Sequence, residues 1–288
     1  MDSLVDVAWL QANLDDLSLR ILDCTVVFEV GDQGVLTFRP GRPEWETAHI
    51  PGSAFASILE DLSDTTSPYD FTLPSAQAFG DSMGKLGIGE GTKVVLYDST
   101  FTMWATRVWW MLNAFGFEDV AVLNGGFTAW QAAGSRVSNE ITKVAPAKFN
   151  AQLRPGWFVD TTGVEQALAS PGSTCVVDAL MTDMYTGVQN PYGRPGHIPG
   201  AVNVPAVSVV DPDSRLFVDD TVLRQHFAPT LSDPTQPVIT YCGGGIAATA
   251  DAFLLRRLGK TDVAVYDGSM AEWTSQPSRP LVLGAEPG

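Results

Sequence analysis

The stretch PVITYCGGGIAATADAFLLRRLG, residues 237–259, sets one thiol, Cys242, between a β-branched run and three glycines. Val238, Ile239, Thr240 and Tyr241 are good strand formers following Pro237. From Ile246 the apolar residues Ile246, Ala250, Phe253, Leu254 and Leu258 fall on one helical stripe, and Gly259 is placed to end it. Cys242 therefore closes a strand, and Gly243, Gly244 and Gly245 form the turn into a helix. Glycines admit backbone conformations closed to other residues and let successive N–H groups converge. The helix start adds unpaired amides and the positive end of its dipole. Both features favour negative charge at the Cys242 sulfur, and the thiolate is the reactive form of cysteine. The amides of Gly243, Gly244, Gly245, Ile246 and Ala247 could also cradle a larger, more diffuse anion such as a persulfide. The same residues leave two other readings open. Buried structural cysteines are common, and strand–glycine–helix turns also bind phosphate without thiol chemistry. A Cys-x5-Arg phosphatase, however, needs a guanidinium six positions after the cysteine, and that position is Ala248.

The elements that would position this turn occur twice. AHIPGSAF at 48–55 answers GHIPGAVN at 196–203, VVLYD ending at Asp98 answers VITYC ending at Cys242, and LRILD ending at Asp23 answers TCVVD ending at Asp178. EDVAVLNGGFTAW ending at Trp130 answers TDVAVYDGSMAEW ending at Trp273, with Asp98 to Trp130 spanning 32 positions and Cys242 to Trp273 spanning 31. Strands alternating with helical stretches in a duplicated order predict an α/β chain of two domains, each with a mainly parallel sheet flanked by helices. The segment NEITKVAPAKFNAQ lacks a period and contains Pro146, so the expected division is a first domain over 1–138, a linker over 139–152 and a second domain over 153–288. The halves differ chemically. An aspartate at the strand end cannot do thiol chemistry, and the bulky Phe101, Met103 and Trp104 after it suit a filled loop. The first half is expected to be inactive.

Composition narrows the partners. An apolar fraction of 45% with 17% charged residues describes a well-cored globular protein, and a net charge of -16 opposes nucleic acid. No apolar run approaches the roughly 20 residues of a membrane span. The acidic start MDSLVDVAWL lacks the basic opening of a secretory signal. Three cysteines do not make a disulfide framework, so a reducing cytoplasmic setting with a free thiol is expected. Cys24 and Cys175, flanked by strand residues, read as core. Most of the eight tryptophans read as packing, and Arg256 and Arg257 read as solvated.

Over nearly its whole length the chain resembles the two-domain sulfurtransferases of the rhodanese family, comprising thiosulfate and 3-mercaptopyruvate sulfurtransferases. The resemblance is carried by SPYDFTLPSAQAFGDSMGKLGIG (67–89), RVWWMLNAFG (107–116), LNGGFTAW (123–130), RPGHIPGAVNVP (194–205) and the CGGGIA loop. It implies tandem rhodanese-like domains with the active cysteine, Cys242, in the second. It also implies a two-step reaction through a Cys242 persulfide, with no cofactor and no metal. The implied partners are a small anionic sulfur donor and cyanide or a thiol acceptor such as a thioredoxin-like protein, with neither nucleic acid nor membrane. The uncharged loop is closer to mercaptopyruvate-type than to thiosulfate-type loops, so mercaptopyruvate is the expected donor. Gly244 and Ala247 replace that group's loop serine and threonine, and Met184 stands where the family often has arginine. Arg194 is then the expected substrate anchor. His49 and His197 are read as turn residues that hydrogen-bond backbone, since Gly244 removes the serine a triad would need. The alternative is a catalytically weak sulfur-relay or regulatory binding protein on the same fold.

Overall fold

The computed structural model describes residues 1–30 and 36–288. Its compact units are 1–154 together with 211–217, and 155–210 together with 218–288. The first unit holds strands β1 (Leu4–Val5), β2 (Leu19–Asp23), β3 (Val26–Val30), β4 (Leu36–Pro40), β5 (Ala54–Phe55), β6 (Lys93–Tyr97) and β7 (Val120–Leu123). The second holds β8 (Phe158–Val159), β9 (Cys175–Asp178), β10 (Ala201–Asn203), β11 (Val238–Tyr241) and β12 (Val263–Tyr266).

Each unit is built on a five-stranded parallel sheet, ordered β1-β7-β6-β2-β5 in the first and β10-β9-β11-β12-β8 in the second. Substituting each strand by its counterpart gives the same order, and even the register repeats. Asp23 lies opposite Tyr97, and Asp178 opposite Tyr241. The antiparallel pair β3–β4 is an addition of the first unit. A parallel sheet covered on both faces needs strands apolar throughout. β7, β11 and β12 meet this, with every residue buried.

The repetition reaches individual side chains. Trp130 and Trp273 are fully buried, and their indole nitrogens donate to the carbonyls of Arg136 and Pro280 at 2.9 and 3.0 Å. The hydroxyls of Tyr97 and Tyr241 accept the amides of Ile50 and Ile198 at 3.4 and 3.1 Å.

The division of the chain differs from the one expected. Residues 139–152 are not a free connector but part of the first unit, which continues to Arg154. Backbone hydrogen bonds secure them: the Ala147 amide donates to Gly84 O at 2.9 Å, and those of Gln152 and Arg154 donate to Phe115 O and Ala114 O at 3.2 and 2.8 Å. The approach is close enough that a Cβ on Gly84 would lie 2.6 Å from the Ala147 carbonyl oxygen. A stretch held by main chain at helix ends has no apolar period to read. Asp211–Phe217 also belongs to the first unit. There the Arg215 guanidinium lies over the Phe101 ring at 4.5 Å, and the Phe217 amide donates to Asn124 Oδ1 at 2.9 Å.

Candidate active site

Cys242 directly follows β11 and keeps 3% of its surface. Its backbone is fixed on both sides: the amide donates to Ser269 Oγ at 3.1 Å, and the carbonyl accepts the Met270 amide at 3.0 Å. The Gly243 carbonyl accepts the Ala271 amide at 2.9 Å. Ser269 Oγ donates in turn to Tyr266 O at 2.8 Å. Ser269 has φ of 50°, a left-handed conformation that costs a side-chain-bearing residue about 1 kcal/mol or more. Its counterpart in the first unit is Gly126, with φ of 53°.

The three glycines have separate reasons. Gly245 has φ of 74°, where glycine is at ease. Gly243 has no left-handed φ, but a Cβ on it would lie 1.9 Å from the Tyr192 hydroxyl. Nothing in the structure explains Gly244. The helix Ala247–Arg257 follows, with Ala248 to Leu255 all buried. It is tied back to the strand by Thr240 Oγ1 donating to Ala248 O at 2.9 Å.

The first unit shows how such a turn treats a negative charge. Asp98, in the position of Cys242, is 1% exposed. Its carboxylate accepts the amides of Thr100 (2.8 Å), Thr102 (3.1 Å), Trp104 (3.0 Å) and Ala105 (3.0 Å), and the Thr100 hydroxyl at 3.0 Å. Burial pushes this carboxyl up, and the converging donors pull against that. The filled first-half loop is filled by its own anion as well as by aromatic bulk.

Two buried acids lie in the second unit. Asp178, opposite Tyr241 in the sheet, is pushed up to about 6 by burial. Asp251, on the helix after the loop, has both carboxylate oxygens buried without a hydrogen-bond partner. Burial pushes it well up, and the Asp178 charge adds to that. The helical stripe misses this position, nine residues after Cys242. Nine residues after Asp98 the first unit has Arg107, fully buried and donating to Phe71 O at 2.6 Å.

Gly243, Gly244 and Gly245 form the turn after Cys242, Ile246 caps the helix and Ala247 is its first residue. The Arg194 guanidinium donates to Gln276 O at 2.9 Å and Arg279 O at 2.8 Å, which tethers the chain near the C-terminus with one N–H of each terminal nitrogen. A cation read from sequence alone carries no sign of the carbonyls that will meet it.

His49 and His197 are both buried and bond main chain. His49 Nδ1 lies 2.6 Å from Trp45 O, and His197 Nδ1 lies 2.9 Å from Tyr185 O. Cys24 is fully buried and Cys175 half-buried, and burial pushes both thiols up. Trp104, Trp109 and Trp110 are buried. Arg256 is half-buried with its guanidinium 3.8 Å over the Trp157 ring, not solvated as read; Arg257 is exposed.

Sequence reasoning missed Ser269, Asp251 and Tyr192. Ser269 could have been found, because it stands where the repeated LNGG segment has its second glycine. For Tyr192, in VQNPYG, the sequence offers no such signal. Among the described residues there is no group of three or more His, Cys, Asp or Glu placed to hold a metal, and no helix is long and apolar enough to cross a membrane.

Residues 6–133 and 162–276 each match the rhodanese-like domain. The chain is 38% identical over 241 residues to human 3-mercaptopyruvate sulfurtransferase, covering 82% of this chain and 80% of that protein. It is 39% identical over 244 residues to thiosulfate sulfurtransferase of Gallus gallus, covering 82% and 81%. The 3-mercaptopyruvate sulfurtransferase SseA of Escherichia coli superposes with a TM-score of 0.82 at 29% identity, over 93% of this chain and 99% of SseA.

Proposed function

The chain belongs to the rhodanese family, and from that premise we propose that it is a sulfurtransferase of the 3-mercaptopyruvate/thiosulfate type working through Cys242. The observation that carries this reading is the fixed placement of Cys242. It sits at the end of a central strand with its amide on Ser269 and its carbonyl on Met270, where the turn Gly243–Ile246 leads into a buried helix. The Cys242 thiolate attacks the sulfane or thiol sulfur of the donor. With thiosulfate the S–S bond breaks, sulfite leaves with the electron pair, and the persulfide anion remains on Cys242. With 3-mercaptopyruvate the C–S bond breaks, and the leaving enolate of pyruvate takes up the proton that the donor thiol gave up. In the second half-reaction a thiolate or cyanide attacks the outer sulfur, and Cys242 leaves as thiolate. The division into two displacements is ordinary covalent catalysis. The amides of Gly243, Gly244, Gly245, Ile246 and Ala247 supply the positive field for the persulfide, as the equivalent loop does for the Asp98 carboxylate. Arg194 contributes by holding the segment at Gln276 and Arg279.

Mercaptopyruvate is the favoured donor, because residues 243–248 carry no cation to offset the double charge of thiosulfate. A thiol, free or on a small protein, is the acceptor. Initial rates on both donors with one thiol acceptor test this. The expected result is faster pyruvate than sulfite release, with both lost in Cys242→Ser. Faster sulfite release would reverse the donor assignment. A chain that forms the persulfide but turns over neither donor would favour the sulfur-relay reading, which the 3% exposure of Cys242 also supports.

A further inference from the structure

The space beside the nucleophile that a side chain at position 243 would fill is taken by a phenol from elsewhere in the second unit. The Tyr192 hydroxyl lies 1.9 Å, Cζ 2.4 Å and Cε1 2.9 Å from where a Cβ on Gly243 would be. Gly243 does not have a left-handed φ, so it is space and not conformation that requires glycine there. The ring packs on the second unit's core, and the Tyr192 carbonyl accepts the Thr274 hydroxyl at 2.8 Å, so the phenol is held from both ends.

Tyr192 is half-buried, and its hydroxyl differs from those of the fully buried tyrosines. Tyr97 pairs with Ser53 at 3.0 Å, Tyr185 donates to Ala201 O at 2.7 Å, Tyr241 accepts from Ile198 N at 3.1 Å, and Tyr266 pairs with Thr161 at 2.8 Å. The Tyr192 hydroxyl has no hydrogen-bond partner among the described residues. This half-buried residue sets its hydroxyl against the Cys242–Gly243 backbone, with its donor open to a group carried on Cys242. Residues 243–248 offer neither a side-chain hydroxyl nor a cation of their own.

We propose that Tyr192 is a catalytic residue whose hydroxyl donates a hydrogen bond to the outer sulfur carried on Cys242, taking the place of a loop side chain at position 243. This rests on the sulfurtransferase reading of Cys242. The phenol keeps its proton throughout, and the bond strengthens as charge moves onto the outer sulfur. Burial first, and the charge at Cys242 second, push the phenol upward and hold it in the donating form.

The test uses the full chain with 3-mercaptopyruvate and thiosulfate as donors and dithiothreitol as acceptor. Tyr192→Phe keeps the ring and removes only the O–H. The expected result is a fall in kcat of about tenfold, the usual scale for one lost hydrogen bond to a charged group, with KM and thermal midpoint unchanged. The persulfide form, followed by the added mass of one sulfur in the absence of acceptor, should also decay faster. Gly243→Ala displaces the phenol, so adding Tyr192→Phe to it should cost nothing further. A Tyr192→Phe enzyme with wild-type kcat and persulfide lifetime overturns the proposal and leaves the sulfurtransferase reading intact. A wild-type chain inert on both donors overturns that reading itself.

Discussion

Ser269 holds a left-handed backbone and accepts the amide of Cys242, the proposed nucleophile. The two roles can be separated by substitution. Ser269→Ala keeps the strained φ and strands the Cys242 amide, so it should destabilise the fold by about 2 kcal/mol, measured by urea denaturation. Ser269→Gly strands the same amide but relieves the backbone, so its loss should be smaller, about 1 kcal/mol. Equal losses would mean that the left-handed conformation carries no strain. Both variants should also lower the rate of persulfide formation, because the cysteine backbone loses one of its two fixings. Asp251 makes the opposite case. A buried acid with no partner is a net cost, so Asp251→Asn should leave stability unchanged or raised near pH 7, where the native acid meets its desolvation cost.

Element by element, most of the frame was legible and the reasons for the exceptions are physical. The strands before Asp98 and Cys242 and the one ending at Asp178 announce themselves as runs rich in β-branched residues, because parallel strands buried on both faces are largely apolar. The helix after the Cys242 loop and its glycine stop were equally visible: it ends at Arg257, and Gly259 has φ of 98°. What escaped was held by main chain or by distant neighbours. Residues 139–152 dock through backbone hydrogen bonds, and Tyr192 meets Gly243 across 51 positions of sequence. Arg194 was visible as a charge, while the carbonyls that claim it were not. At the loop itself, Gly245→Ala would have to adopt φ of 74°, which should cost about 1–2 kcal/mol and slow turnover. Kinetics together with thermal melting would check this, and a Gly245→Ala protein as stable as wild type would show that the turn relaxes to another conformation.

Over the molecule as a whole, each unit carries one buried acid at the end of the equivalent strand. Asp23 and Asp178 are both pushed up to about 6, with burial the largest cause in each. Between about pH 4, where these acids ionise in the unfolded chain, and pH 6, the folded protein holds more protons than the unfolded one. Their contribution to stability is therefore greatest below that window and falls as pH rises through it, by up to about 3 kcal/mol for each acid. Denaturation midpoints should decline from pH 4 to 6 relative to the Asp23→Asn, Asp178→Asn double variant. A wild-type curve parallel to that of the variant would rule out the effect.

The chain also threads back on itself, since Asp211–Phe217 belongs to the first unit although the second surrounds it in sequence. Arg215→Ala should accordingly speed hydrogen exchange around Phe101, and faster exchange confined to the second unit would contradict that assignment.

The ring of amides around the Asp98 carboxylate has a consequence for ligand counting. A turn already saturated by an internal oxyanion has nothing to offer a dissolved one, so titrating sulfite or sulfate into the protein meets one receptive loop per chain despite the doubled architecture. Calorimetric stoichiometry should be one, and Asp98→Gly, by emptying the first turn, should bring it toward two.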